Sequence, residues 1–275
     1  MISFGILALA LVALAYGAAH RFPRLRAWWR RPFGVFHRVN ARLLVLLAVL
    51  GASTWLFVGI SLDVVDHDGI ALSDPRVLAD VVSHRSGALT AVAEVVTFLG
   101  TGVVLYVVLA VLGVLVWRRT QRWQPLVLAL AWLGAGQLAR LAINQAVGRP
   151  RPPHHLQLVA AHGYAFPSGH TTVATIGYGL LVGLAVVLAP HSRRWAASTA
   201  VVLVLAVGVS RVYLGVHWPT DVLGGWSFGA AWLALGPTIA VLGARMRRVG
   251  GDRARDDHKQ LGPNASDERS SQEPR

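Results

Sequence analysis

Apolar residues run along this chain in blocks of about 20, the length that crosses a bilayer as an α-helix, and the polar residues collect in the gaps between blocks. Run length predicts about seven membrane helices, near 2–19, 43–62, 93–117, 124–145, 170–189, 196–212 and 221–244. The first block has the length of a signal-peptide core, but no positive region precedes it, so an uncleaved helix is expected there. Glycine and alanine recur inside the blocks and permit close helix approach without a hydrophobic driving force. The stretch "LADVVSHRSGALTAVAEVV" (78–96) reads as an amphipathic, interfacial segment leading into the third helix. From 246 onward the chain is polar and charged with no hydrophobic period, which predicts a disordered tail. The expected fold class is therefore all-α, a polytopic membrane helix bundle. Its expected parts are an extra N-terminal membrane helix with a basic loop (1–42), a membrane domain (43–245) and a cytoplasmic tail (246–275).

Composition supports this pattern. Charged residues make up 14% of the chain and hydrophobic ones 54%, whereas a soluble domain carries about 25% charged residues. The net charge of +13 would alone suit a nucleic-acid partner, but its arrangement argues against one. Arginine clusters at 21–42, 118–122, 191–194 and 245–248 all fall on one side if the helices alternate, and that side is the cytoplasm. The connections 63–92, 146–169 and 213–220 then face outward. There is no cysteine, which excludes a disulfide framework and a thiolate metal site. The one lysine of the chain, Lys259, lies in the tail.

Three polar clusters sit at outward helix ends: "NQAVGRPRPP" (144–153), "PSGH" (167–170) and "SRVYLGVHWPTD" (210–221). Arg149, Arg151 and Arg211 depart from the positive-inside trend. Each alone reads equally well as a snorkelling arginine, but three at one face form an anion site, since guanidinium forks hold phosphate oxygens bidentately. Ser168 suits a helix N-cap, and Gly169 permits close backbone approach, so the free N–H groups opening the fifth helix face an anion. His217 and Asp221 are four residues apart, a spacing at which a carboxylate accepts the imidazole Nδ1–H and leaves Nε2 nucleophilic. The rival reading of that pair is an interfacial histidine beside a capping aspartate. Two histidines among arginines point to phosphoryl transfer: His217 attacks phosphorus, and His170 protonates the leaving oxygen and then activates water. The arginines supply the positive charge, so neither a metal nor another cofactor is expected.

These clusters resemble the signature of the type 2 phosphatidic acid phosphatase superfamily, which includes vanadium haloperoxidases: K-x6-R-P, then P-S-G-H, then S-R-x5-H-x3-D. Arg151 and Pro152 match the first motif, and the second and third match in full at 167–170 and 210–221. The resemblance covers about 43–245 and implies a haloperoxidase-like helical core. It implies His217 as nucleophile, His170 as acid, Asp221 as the orienting carboxylate, and Arg151, Ser168, Gly169 and Arg211 as phosphate ligands. One position departs from the pattern: Asn144 stands where the family has lysine. Asn144 can still donate a hydrogen bond to phosphate, and Arg149 in the loop or Arg140, one turn deeper with Gln137, are the candidates to replace the charge; a packing role for Arg140 remains open. His154, His155 and His162 read as solvated loop histidines, with contact to a substrate head group as the alternative.

The resulting expectation is a metal-independent phosphatase acting on a lipid phosphate or diphosphate: a polyprenyl diphosphate, phosphatidic acid or phosphatidylglycerol phosphate. The expected partners are that substrate and the bilayer, with no nucleic acid. The expected location is a bacterial plasma membrane, with the site facing outward. The alternatives are a phosphotransferase using the same phosphohistidine, a vanadate-dependent haloperoxidase, and a lipid-binding protein that has lost catalysis.

Overall fold

The computed structural model describes residues 41–260. The chain divides into two compact units, Met1–Val45 and Leu46–Arg275; of the first, only the start of one helix is described. The expected helix near 2–19 lies outside the described residues, as does the tail beyond Gln260. The described residues form α1 (Ala41–Asp66), α2 (Asp74–Ser83), α3 (Gly87–Leu99), α4 (Gly102–Thr120), α5 (Gln124–Val147), α6 (Gly169–Leu188), α7 (Arg193–Tyr213) and α8 (Pro219–Gln260), with three short 3₁₀ turns between them. Six of these, α1 and α4 to α8, are long and apolar enough to cross a membrane.

Two expectations need correction. The apolar run near 93–117 is not one helix: α3 ends at Leu99 and α4 begins at Gly102. Thr101 causes the break, because its side chain accepts a hydrogen bond from Val104 N and caps a new helix. The second correction is at the C-terminus, where helix α8 continues to Gln260 rather than ending near 246. Arg253, Ala254, Arg255 and Lys259 favour helix by propensity, and no proline interrupts that stretch.

Helix α6 lies at the centre, packed against α4, α5, α7 and α8. The main core joins Leu105, Leu109 and Val116 of α4 to Leu133 of α5, Val173, Ala174, Ile176 and Leu184 of α6, and Val207 of α7. Helix α8 fits against α6 through small residues. A Cβ on Gly225 would lie 2.9 Å from Thr171 Cβ and 3.1 Å from the Ser168 carbonyl oxygen; one on Gly229 would lie 2.6 Å from Thr175 Cβ. Two indoles tie α5 to α8 reciprocally: Trp132 Nε1 donates to the Trp232 carbonyl at 3.2 Å, and Trp232 Nε1 donates to the Trp132 carbonyl at 3.1 Å.

The close α6–α8 contact gives a testable consequence. Gly225→Ala should lower the thermal stability of the detergent-solubilised protein by about 1–3 kcal/mol through overpacking, read as a fall in Tm. An unchanged Tm would show that the helices can move apart freely.

Candidate active site

The site is built where four helix ends meet. The left-handed Gly148 (φ +63°) stops α5, a conformation glycine adopts without steric penalty. The chain then runs through the loop 149–168 to α6. A second left-handed glycine, Gly215 (φ +72°), turns the chain from α7 into His217. A Cβ there would meet the Arg85 guanidinium at 2.7 Å. Arg85 in turn donates from Nε and Nη2 to the Tyr213 carbonyl, at 2.9 and 2.6 Å, which fixes the end of α7.

A cavity of about 420 Å³ opens between these ends. His170, His217, Arg140, Arg151, Arg211, Gly169 and Asn144 all line it, and none of its lining side chains among the described residues is acidic. Three guanidinium groups without a carboxylate facing them make an anion-binding pocket.

His217 is 2% exposed. Its Nδ1 lies 3.3 Å from Asp221 Oδ2, and its Nε2 lies 3.1 Å from Arg151 Nη1. A guanidinium can only donate, so Nε2 accepts and the ring proton sits on Nδ1, donated to Asp221. Burial holds the imidazole well below its usual pKa, at about 4. Hydrogen bonding and charge from Asp221 raise it against that trend, and the Arg151 and Arg211 charges add to the lowering. The ring is therefore neutral near pH 7, with its Nε2 lone pair, which accepts from Arg151, on the cavity side. Asp221 is also fixed by the Trp218 backbone N–H, 2.8 Å from Oδ2, at the first turn of α8, where the helix dipole favours a carboxylate.

The arginines differ in how much of their fork remains available. Arg151 is largely committed: Nε donates to the Gly163 carbonyl at 3.0 Å, Nη2 to that of His162 at 3.0 Å, and Nη1 to that of Val216 at 2.7 Å. Burial pushes its pKa down from the usual arginine value, opposed by Asp221. Arg211 Nη1 donates to Thr97 Oγ1 at 2.8 Å, while its Nε is buried with no partner among the described residues. Arg140, 8% exposed, donates from Nε to Gln137 Oε1 at 3.1 Å and places its guanidinium beside Gly169.

Other expected site residues stand elsewhere. Arg149 does not line the cavity. It lies behind Asp221, donating from Nη1 to Asp221 Oδ1 (2.6 Å) and Thr220 Oγ1 (2.7 Å), and from Nη2 to Asp74 Oδ2 (2.6 Å). Two carboxylates at hydrogen-bond distance occupy its fork, so Arg149, expected as a phosphate ligand, stands behind the cavity and not among the groups that line it. Asn144 reaches the cavity wall but commits its Nδ2 to the carbonyls of Tyr164 (3.1 Å) and Phe166 (2.9 Å), so it anchors the loop that enters α6. Ser168 is fully buried, and its hydroxyl caps nothing: it accepts from Thr171 Oγ1 at 3.0 Å, while its N–H donates to the Asp221 carbonyl at 3.0 Å. His162 lines the cavity, whereas His154 and His155 do not.

With this geometry in view, the comparisons with known proteins are specific. A family model described as the PAP2 superfamily matches residues 123–242, which contain all three motifs. Phosphatidylglycerophosphatase B of Bacillus subtilis (strain 168) is 30% identical over 181 residues, covering 64% of this chain and 88% of that protein. The chain belongs to the PAP2 superfamily. Decaprenylphosphoryl-5-phosphoribose phosphatase of Mycobacterium tuberculosis is 34% identical over 180 residues, 62% of this chain and 85% of that protein. The crystal structure of a transmembrane PAP2-type phosphatidylglycerolphosphate phosphatase from Bacillus subtilis superposes with a TM-score of 0.64 at 28% identity, covering 68% of this chain and 92% of that one. The chain is thus an integral membrane PAP2 phosphatase with an all-helical fold.

Sequence reasoning missed Asp74 and Thr97. Asp74 in "LSDPRV" reads as an ordinary residue at a helix start, and nothing local marks it as buried at 1% exposure. Thr97 lies inside an apolar run and shows no polar pattern.

The neutral His217 predicts a stability profile. An unfolded histidine titrates near 6.5, so as pH falls from 6.5 towards 4 the unfolded state takes up the proton first. Stability from the neutral ring is complete above about 6.5 and is lost towards 4, by up to about 3 kcal/mol. Tm of the detergent-solubilised protein should therefore fall more steeply over that window than in His217→Gln; parallel slopes would contradict the buried neutral imidazole.

Proposed function

We propose that this PAP2 phosphatase hydrolyses a lipid phosphate or diphosphate through a phosphohistidine on His217, without a metal, at the outer membrane face. The observation that carries this reading is the single cavity in which a neutral imidazole with its lone pair on Nε2 faces a second histidine and three guanidinium groups.

The incoming phosphoryl oxygens take hydrogen bonds from Arg140, Arg211 and the α6 N-terminus. An oxygen replaces Nε2 as the acceptor of Arg151 Nη1 and so uncovers the nucleophile. Nε2 then forms a bond to phosphorus as the bond to the leaving oxygen breaks, and His170 delivers a proton to that oxygen. Asp221 stabilises the positive charge that develops on the ring. In the second half, His170 takes a proton from water, water attacks phosphorus, the P–N bond breaks, and inorganic phosphate leaves. Arg140 takes over the charge of the lysine that position 144 lacks. Its Nη groups make no protein hydrogen bond among the described residues, and its fork lies beside Gly169.

The substrates named for the relatives, phosphatidylglycerophosphate-type, decaprenyl and lipid A phosphates, all join a phosphate to an apolar tail. That agrees with a phosphate pocket set at the ends of membrane helices. The outward orientation rests on charge. Arg118 and Arg119 end α4 and Arg193 and Arg194 begin α7, whereas the cavity lies at the start of α4 and the end of α7. Arginines gather at cytoplasmic ends. The domain division at 43 and 245 remains part of this proposal, with the catalytic unit inside it.

Two measurements check the reading. Phosphate release from a panel of lipid phosphates and diphosphates should persist in chelator and vanish in His217→Ala, and Arg140→Ala should cost more than about 10-fold in kcat/KM, over about 1.4 kcal/mol. Release that depends on added metal would overturn the mechanism, and wild-type kinetics in Arg140→Ala would remove its role; transfer of label to an added alcohol would identify a phosphotransferase. The chain has no cysteine, so single cysteines can report sidedness. Gln157→Cys should react with an impermeant maleimide from outside intact cells and Gln121→Cys should not; the reverse pattern would place the site inward.

A further inference from the structure

Behind the cavity, His217 and Asp221 continue into a buried chain of charges whose other members, Arg149 and Asp74, stand outside the three motif matches. It begins at Asp74, on the first turn of α2, a helix that contributes nothing to the cavity lining. Asp74 Oδ1 accepts the Thr220 backbone N–H at 3.0 Å, and its Oδ2 accepts both the Thr220 hydroxyl and Arg149 Nη2, the latter at 2.6 Å. Arg149 passes the contact on, with Nη1 2.6 Å from Asp221 Oδ1, and Asp221 Oδ2 meets His217 Nδ1 at 3.3 Å. The order is carboxylate, guanidinium, carboxylate, imidazole, and every member is buried or nearly so.

We propose that Asp74 is a positioning residue for phosphoryl transfer: through Arg149 and Thr220 it holds the Asp221 carboxylate, and with it the His217 ring, in the orientation of attack. This inference rests on the reading of His217 as nucleophile. The geometry fixes both ends of the bridge. Arg149 engages one oxygen of Asp221, which leaves the other oxygen aimed at Nδ1. Asp74 holds the opposite edge of the same fork, and Thr220, one residue before Asp221, is held by Asp74 through both backbone and side chain. The Arg149 guanidinium also lies 5.8 Å from the Trp218 ring centroid, which limits its movement further.

The chain has an electrostatic role as well. Arg149 alone would neutralise Asp221 and leave less negative charge to support a ring that becomes positive on attack. Asp74 restores one negative charge to the group. The charged and titratable groups facing His217 are Asp221 from α8, Arg151 from the loop after α5, Arg211 from α7 and His170 from α6. Arg149 and Asp74 act from behind Asp221. Arg140, from α5, faces His170.

The test uses phosphate release from phosphatidic acid in mixed micelles with chelator, with kcat, KM and the pH dependence of kcat/KM measured for each variant. Asp74→Asn keeps the shape and removes the charge. It should lower kcat on the order of 10-fold, with KM within roughly 2-fold of wild type, and move the acid limb to lower pH. Arg149→Gln should move that limb the other way, up by about one pH unit, because it removes a positive charge near the ring. The double variant should be no worse than the poorer single one, as expected for residues acting as a unit. A merely structural role lowers Tm and the active fraction but does not move the two limbs in opposite directions. If Asp74→Asn fails to fold, Thr220→Val and Arg149→Gln carry the same comparison. Wild-type kcat in Asp74→Asn, or additive losses with unmoved limbs, would overturn the positioning role while leaving the His217 reading intact. No release by the wild-type protein from any lipid phosphate would overturn that reading and this inference together.

Discussion

Asp221 is the group on which the site depends, because its two oxygens face in different directions. One receives the Nδ1 proton of His217 and the Trp218 backbone N–H. The other is clamped by Arg149. Isolated charge between apolar helices is costly to keep ionised, and Arg149 compensates Asp221 on one edge of its fork while Asp74 holds the other edge. The Asp221 carbonyl also receives the N–H of Ser168, so the residue that orients one histidine also holds the start of the helix carrying the other. His170 and His217, 47 positions apart in the chain, thereby reach one cavity.

The cavity itself is charged in the opposite sense. Among the described residues, Arg140, Arg151 and Arg211 line it with no acidic side chain beside them, and Arg211 keeps a buried N–H without a partner. Empty, such a pocket is electrostatically unfavourable; a bound phosphoryl group relieves the repulsion and satisfies the open donors. The lowered proton affinity of His217 follows first from burial, with the Arg151 and Arg211 charges adding to it, and it keeps the nucleophile unprotonated. The arginines that would hold the phosphate thus also help to keep the nucleophile free of a proton.

Much of this was legible in the chain. The blocks at 43–62, 124–145, 170–189 and 196–212 match α1, α5, α6 and α7 to within a few residues, because run length and bilayer thickness constrain each other. The three motifs placed His170, His217, Asp221, Arg151 and Arg211 at one face, as alternation of spans requires. The direction of each fork was not legible. Arg149 and Arg151 are two residues apart and chemically identical, yet one faces Asp221 and the other the cavity; only the loop's path after Gly148 decides. Asp74 acts on residues 75 and 146 positions later, and no local pattern encodes such a pairing. The interruption at Gly100–Thr101 was hidden because a capping threonine barely lowers the hydropathy of its surroundings. Asn144 was legible as a departure but not as a loop anchor, since its partners are backbone carbonyls that a sequence does not locate.

The central claim is that the His217 imidazole carries the phosphoryl group during turnover. It is tested most directly by rapid quench of the purified protein with a ³²P-labelled lipid diphosphate in chelator, followed by mass mapping of the labelled peptide. The account predicts an acid-labile, base-stable phosphoryl adduct on the peptide containing His217, formed at a rate competent for turnover and absent in His217→Ala. Turnover with no adduct, or an adduct on His170 or another residue, would contradict it.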